Sequence, residues 1–194
     1  MNKFYLLLIT LFIFCSCTST DPKEPHVKIE TGLGTIEVAL YAEKAPKTVA
    51  AFLANVDAGV YKNATFYRVL KNDNVPEEYN TGVIQGGVFN SIAGRALQLK
   101  GIDHESPRQT GLTHKSGTIS MARTTAGSAS SEFFICIGDQ KQFDSSSRGN
   151  NDGLGYAAFG LVVKGMDVVK KIQNKKSTGD SFDEDIRIDY IKRL

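Results

Sequence analysis

The stretch Phe66-Tyr67-Arg68-Val69-Leu70 sets an arginine inside an otherwise apolar run, and Val83-Ile84-Gln85-Gly86-Gly87 ends a second apolar run with a glutamine and two glycines. Two further runs follow, Thr118-Ile119-Ser120-Met121-Ala122-Arg123 and Ser131-Glu132-Phe133-Phe134-Ile135-Cys136-Ile137. All four have strand length and the β-branched and aromatic residues that fit a pleated surface. Arg and Gln are seldom buried without partners. Isolated polar residues on apolar strands therefore either satisfy one another across a barrel or line a site.

The same pattern extends outward along the chain. Val27-Lys28-Ile29-Glu30-Thr31 alternates apolar and polar residues, Gly32-Leu33-Gly34 makes a turn, and Thr35-Ile36-Glu37-Val38-Ala39-Leu40 alternates again, which predicts a hairpin. Pro46 opens a helix whose apolar Val49, Phe52, Leu53 and Val56 fall on one face, and Gly59 stops it. Strands are expected over 65–70, 83–85, 118–123, 133–137 and 158–164. A second helix is expected over 166–172, and a closing strand carries Ile186, Ile188 and Tyr190. The predicted fold is mainly β: a closed eight-stranded antiparallel barrel capped by two helices. Residues 94–117 and 139–156 have little periodicity, and loops of that length in a compact domain are more often functional than accidental.

The chain has 194 residues, enough for one sizeable core, with 41% hydrophobic and 23% charged residues. Its formal net charge of +2 lacks the concentrated basic surface that nucleic-acid binding needs. At the N-terminus Met1-Asn2-Lys3 precedes an apolar run over 4–14, which reads as an export signal, since about 20 apolar residues are needed to span a bilayer. Ser16-Cys17 resembles a bacterial lipobox. The expected organisation is a signal peptide over 1–16, Cys17 as the lipidated first mature residue, a polar tether over 17–26 and one domain over 27–194. The protein would be exported, periplasmic or in the cell envelope, and held at a membrane by its acyl chains.

Several chemistries drop out. No Cys-x-x-Cys, His-Glu-x-x-His or phosphate-loop pattern occurs, and the three His are scattered without ligand spacing, so no metal site is expected. No Gly-x-Ser-x-Gly occurs, and no Ser/His/Asp set suggests itself. Cys136 reads as a small buried hydrophobe.

Taken together, six segments resemble the cyclophilin family of peptidyl-prolyl isomerases, in the right order. These are Ala45-Pro46-Lys47-Thr48-Val49, Phe66-Tyr67-Arg68-Val69, Ile84-Gln85-Gly86-Gly87, 117–123, Ser131-Glu132-Phe133-Phe134-Ile135, and Tyr156-Ala157-Ala158-Phe159-Gly160 with Val163, Gly165 and Met166. The resemblance implies a cyclophilin-like barrel with a groove on its outer face, and proline-containing polypeptides as partners of a monomeric enzyme that needs no cofactor. It assigns catalysis to Arg68, a cation held rigid and largely dehydrated beside the twisting prolyl nitrogen, and to Gln85, which positions the substrate carbonyl. Phe134 would floor the proline pocket, with Val83, Phe143 and Leu154 around it. Tyr67, Ala122, the backbone at Arg123, and Tyr156 would line the groove.

Three departures from the family pattern carry expectations of their own. Tyr67 replaces a His whose side chain donates no proton. Gly82 stands where the family has a Phe, which implies a shallower pocket. Glu132 replaces a Gln, and is expected to pair with Arg68 and temper activity. A binding module or chaperone of the same fold, with little turnover, is the competing reading.

Overall fold

The structure is a computed structural model that describes residues 24–72, 74–90, 99–146 and 152–194. The expected signal peptide, Cys17 and most of the tether lie outside the described residues. Among the described residues no helix is long and apolar enough to cross a membrane.

The first hairpin forms as the alternation requires. β1 (His26–Thr31) pairs antiparallel with β2 (Gly34–Leu40), and Val27, Ile29, Ile36 and Val38 all turn inward. α1 (Pro46–Asp57) follows, with proline in its first turn and Val49, Phe52, Leu53 and Val56 buried. β3 (Ala64–Leu70), β4 (Gly82–Gly87), β5 (Thr118–Met121), β6 (Phe133–Ile137) and β7 (Ala157–Lys164) come next, then α3 (Met166–Gln173) and β9 (Ser181–Arg193). The strand order is β1-β2-β7-β5-β6-β4-β3-β9, and β9 pairs back onto β1, so eight antiparallel strands close a barrel. Closure leaves the barrel no free edges.

α1 packs at the end where β6 begins. Phe52 meets Tyr61, Phe133 and Phe159 with ring centroids 5.0–6.0 Å apart. α3 covers the opposite end through Val168, Val169 and Ile172, beside the β1–β2 turn.

The two capping helices stand as expected, and among the described residues one further short helix occurs. Pro107–Thr110 forms a single helical turn, α2. Ser106 and Gln109 build a capping box around it, and Gly111 ends it in the left-handed region at φ 71°. A two-residue strand, β8 (Ser177–Thr178), also adds onto β9 outside the closed barrel.

Candidate active site

Strict alternation from Phe66, which is buried in the core, would send Arg68 into the same core. The pairing of β3 prevents this. The register shifts between Phe66 and Arg68 on both sides of the strand, against β4 and against β9. A bulge of this kind adds one residue and re-aims the side chains beyond it. Tyr67 and Arg68 consequently both face the outer groove, while Val69 returns to the core.

Arg68 Nη1 donates to Gln85 Oε1 at 3.2 Å, and Gln85 Nε2 donates to the Tyr67 hydroxyl at 2.8 Å. On the other side of the fork, Arg68 Nη2 donates to Asp180 Oδ2 at 2.9 Å. The guanidinium is therefore held, as expected, but it is not dehydrated: the side chain is 41% exposed.

Beside Arg68 lies an apolar pocket on the outer face of the barrel. Val83, Phe134 and Cys136 form its buried layer, with Leu70, Ala122, Phe143 and Tyr156 packed against them. The rings of Phe134, Phe143 and Tyr156 meet nearly edge to face at 5.3–5.4 Å, a favoured aromatic geometry. This pocket and the Arg68–Gln85 pair share one cavity of about 570 Å³. Burial pushes the Cys136 thiol well above its usual range, as expected of an inert core cysteine.

The floor has a polar underside that the sequence reading missed. The His114 ring stacks on Phe134 at 5.8 Å and 16°. His114 Nδ1 lies 2.7 Å from Asp144 Oδ1, and Nε2 lies 3.0 Å from Ser120 Oγ. A carboxylate only accepts, so Nδ1 carries the proton and Nε2 accepts from the serine. No sequence pattern suggests this set, because folding alone brings Ser120, His114 and Asp144 together. The set cannot act as a hydrolase, because Ser120 has no exposed surface and its hydroxyl reaches no substrate. Burial also holds the His114 pKa below its ordinary value, with Asp144 opposing.

Residues 26–193 match the family model described as cyclophilin type peptidyl-prolyl cis-trans isomerase/CLD. The chain belongs to that family. It is 38% identical over 170 residues to peptidyl-prolyl cis-trans isomerase A of Dickeya dadantii, covering 86% of this chain and 79% of that one. To peptidyl-prolyl cis-trans isomerase B of Escherichia coli it is 35% identical over 161 residues, covering 82% and 91%. In fold it matches a crystal structure of a cyclophilin-type isomerase from Cryptosporidium parvum, with a TM-score of 0.69 at 23% identity over 88% of this chain and 98% of that one.

Two groove positions of this cyclophilin, Glu132 and Leu154, differ from expectation. Glu132 does not pair with Arg68. Its Oε1 accepts from the Val88 and Phe89 amides at 2.8 and 3.2 Å and from the Ser131 hydroxyl at 3.0 Å. The carboxyl group lies where a Cβ on Gly87 would stand, so the glycine pair that ends β4 leaves room for it. Burial raises the Glu132 carboxyl above the usual carboxylate range, opposed by the Tyr67 hydroxyl and the Val88 amide. Leu154 does not line the pocket. Its backbone is pinned by Asp152 and Ser145, and its side chain is 41% exposed. At Gly82 any Cβ would run into the Leu70 carbonyl, so no side chain can stand there. Leu70, paired with Val83 across β3 and β4, lines the pocket.

Arg123 lines the groove, yet its guanidinium is turned into the protein, with only 4% of the side chain exposed. It takes Asp152 bidentately at 2.7 and 2.8 Å, donates to the Gly155 carbonyl, and lies 5.4 Å over the Tyr156 ring. The loop after residue 139 is thereby tied to the end of β5. This pairing holds the Asp152 carboxyl down at about 2.

Leu70, Phe89, Thr124 and Asp180 were not anticipated from sequence. Leu70 was legible, since beyond the bulge it shares a face with Arg68. Phe89, 64% exposed with its ring 5.9 Å from Tyr67, extends the groove past the Gly-Gly pair. Asp180 approaches Arg68 from 112 residues away, and no local pattern marks it.

Proposed function

We propose that this cyclophilin accelerates X-Pro rotation in unfolded or flexible segments of exported proteins, with Arg68 stabilising the twisted amide. The carrying observation is a guanidinium held by Gln85 in the same cavity as an apolar pocket floored by Phe134. The planar amide resists rotation by about 18–20 kcal/mol, and uncatalysed isomerisation takes about 10–100 s. Conjugation is lost at the top of that barrier and the prolyl nitrogen regains its lone pair. Arg68 then has an acceptor that the planar amide does not offer, which is differential binding of the transition state. A proline ring seated on Phe134 would displace water from the 41% exposed side chain and strengthen that hydrogen bond. Gln85 gives one amide hydrogen to Tyr67 and keeps a second for the substrate carbonyl.

A protein of the same fold from Cryptosporidium parvum was crystallised in the presence of the dipeptide Ala-Pro, which supports proline as the ligand class. Export and lipid anchoring rest on the apolar run over 4–14 and on Ser16-Cys17. The enzyme is read as a monomer that works without metal or cofactor. An isomerisation assay of wild type against Arg68→Ala tests the catalytic part. A wild type no faster than the variant would favour the binding-module reading. Incorporation of a labelled fatty acid, lost in Cys17→Ser, tests the anchor.

A further inference from the structure

The guanidinium of Arg68 has a second anchor, on an element that the barrel does not need for closure. β8 and the start of β9 form a short hairpin in which Thr178 faces Ser181. Its two loop residues are Gly179, at φ 58°, and Asp180. Positive φ at the first of two loop residues is the pattern of a II′ turn, where glycine is favoured. The hairpin is docked against the catalytic strand by backbone: the Asp180 carbonyl accepts from the Val69 amide at 2.8 Å, immediately after Arg68, and Arg68 itself is in register with Ser181. This docking sets the Asp180 carboxylate 2.9 Å from Arg68 Nη2, at the opposite end of the fork from Gln85.

We infer that Asp180 is a positioning residue that fixes the plane of the Arg68 guanidinium for catalysis, an inference that rests on the role given to Arg68 above. Gln85 alone offers Arg68 one hydrogen bond of 3.2 Å to an uncharged amide oxygen, about which the group can swing. The bond to a carboxylate at the other nitrogen, with charge on both partners, is the stronger of the two and removes that freedom. Arg68 itself lines the groove and keeps N–H groups beyond those two bonds. Both partners are substantially exposed, at 41% and 59%, so the pair contributes little to stability and its value lies in geometry.

The test uses the full chain, with Asp180→Ala and Asp180→Asn compared in steady-state isomerisation. Folding is checked by thermal unfolding, since the Val69–Asp180 backbone bond survives both changes. The Ala variant is expected to lose about five- to tenfold in kcat at unchanged KM, the sign of an interaction used in the transition state. The Asn variant keeps an acceptor in place and is expected to recover at least half of that loss. Nitrogen-15 NMR gives a second readout. The Arg68 Nη signals, assigned by their absence in Arg68→Ala, should be distinct in wild type and merge in Asp180→Ala as the group rotates freely. An Ala variant within twofold of wild type, a faster one, or an Asn variant no better than Ala would overturn the inference. An Arg68→Ala enzyme with full activity would instead overturn the role of Arg68, while the NMR comparison would still report whether Asp180 holds it.

Discussion

Arg68 and Gln85 face each other across one rung of the β3–β4 ladder, and the arginine donates to the glutamine amide oxygen at 3.2 Å. Because Arg68 can only donate, the Gln85 amide oxygen must face it, which leaves the amide nitrogen to donate to Tyr67. Removing the guanidinium takes away the donor that meets the twisted nitrogen. Arg68→Ala should therefore lower kcat/KM by about 10²- to 10³-fold, the usual cost of losing one transition-state donor. Arg68→Lys should be nearly as poor, because an ammonium lacks the fork that spans Gln85 and Asp180. A protease-coupled isomerisation assay measures both.

Phe134 supports the proline ring from below and is itself backed by His114. Phe134→Leu keeps an apolar side chain but removes the flat surface and three ring contacts. Its expected effect is a several-fold rise in KM with a smaller change in kcat. Truncation to Ala should in addition cost about 3–5 kcal/mol of stability, read by denaturant unfolding.

Glu132 is held by backbone amides and not by Arg68, so Glu132→Gln should change kcat/KM by less than about threefold, within what a residue outside the reacting centre alters. Its signature lies in stability against pH. The folded-state pKa is raised by burial, so the folded protein holds this proton more tightly than the unfolded chain does. Stability from this site is full below the ordinary glutamate value of about 4.3 and falls as pH rises through the folded value. Wild type should thus lose melting temperature relative to Glu132→Gln between pH 4 and pH 8, as measured by paired thermal scans. A gap that stays constant, or closes in the other direction, would contradict this.

Asp152 behaves oppositely. Arg123 depresses its folded pKa to about 2, so its contribution is present above the ordinary aspartate value, near 3.9, and is lost as pH falls toward 2. Asp152→Asn should melt below wild type at pH 6, and the two curves should converge in acid. Arg123→Ala should reproduce the loss at pH 6 and remove the dependence on acid.

Much of the barrel was readable because alternation and helical spacing are local properties. The first hairpin and α1 came out as their periods require, and the apolar runs at 83–85 and 133–137 became adjacent strands. Boundaries were less faithful. β5 ends at Met121 instead of continuing to Arg123, whose side chain turns away to clamp Asp152 and Gly155. β9 runs from Ser181 to Arg193, well beyond the alternating Ile186, Ile188 and Tyr190, because it pairs in turn with β8, β3 and β1. The Ser106–Gln109 capping box that opens α2 was also present in the chain, but one helical turn leaves no periodicity to detect.

The groove divides along the same line. Residue order alone determined which groups are available: a guanidinium, a glutamine, a phenylalanine floor and a pair of glycines on neighbouring strands. Direction was decided only by the folded chain. The bulge that brings Arg68 out of the core arises from pairing on both sides of β3, Glu132 turns to the Val88 and Phe89 amides, and Asp180 arrives on a hairpin from the far end of the chain. A side chain's face is set by register, and register is a property of strands meeting across the sheet, which no single segment of sequence contains.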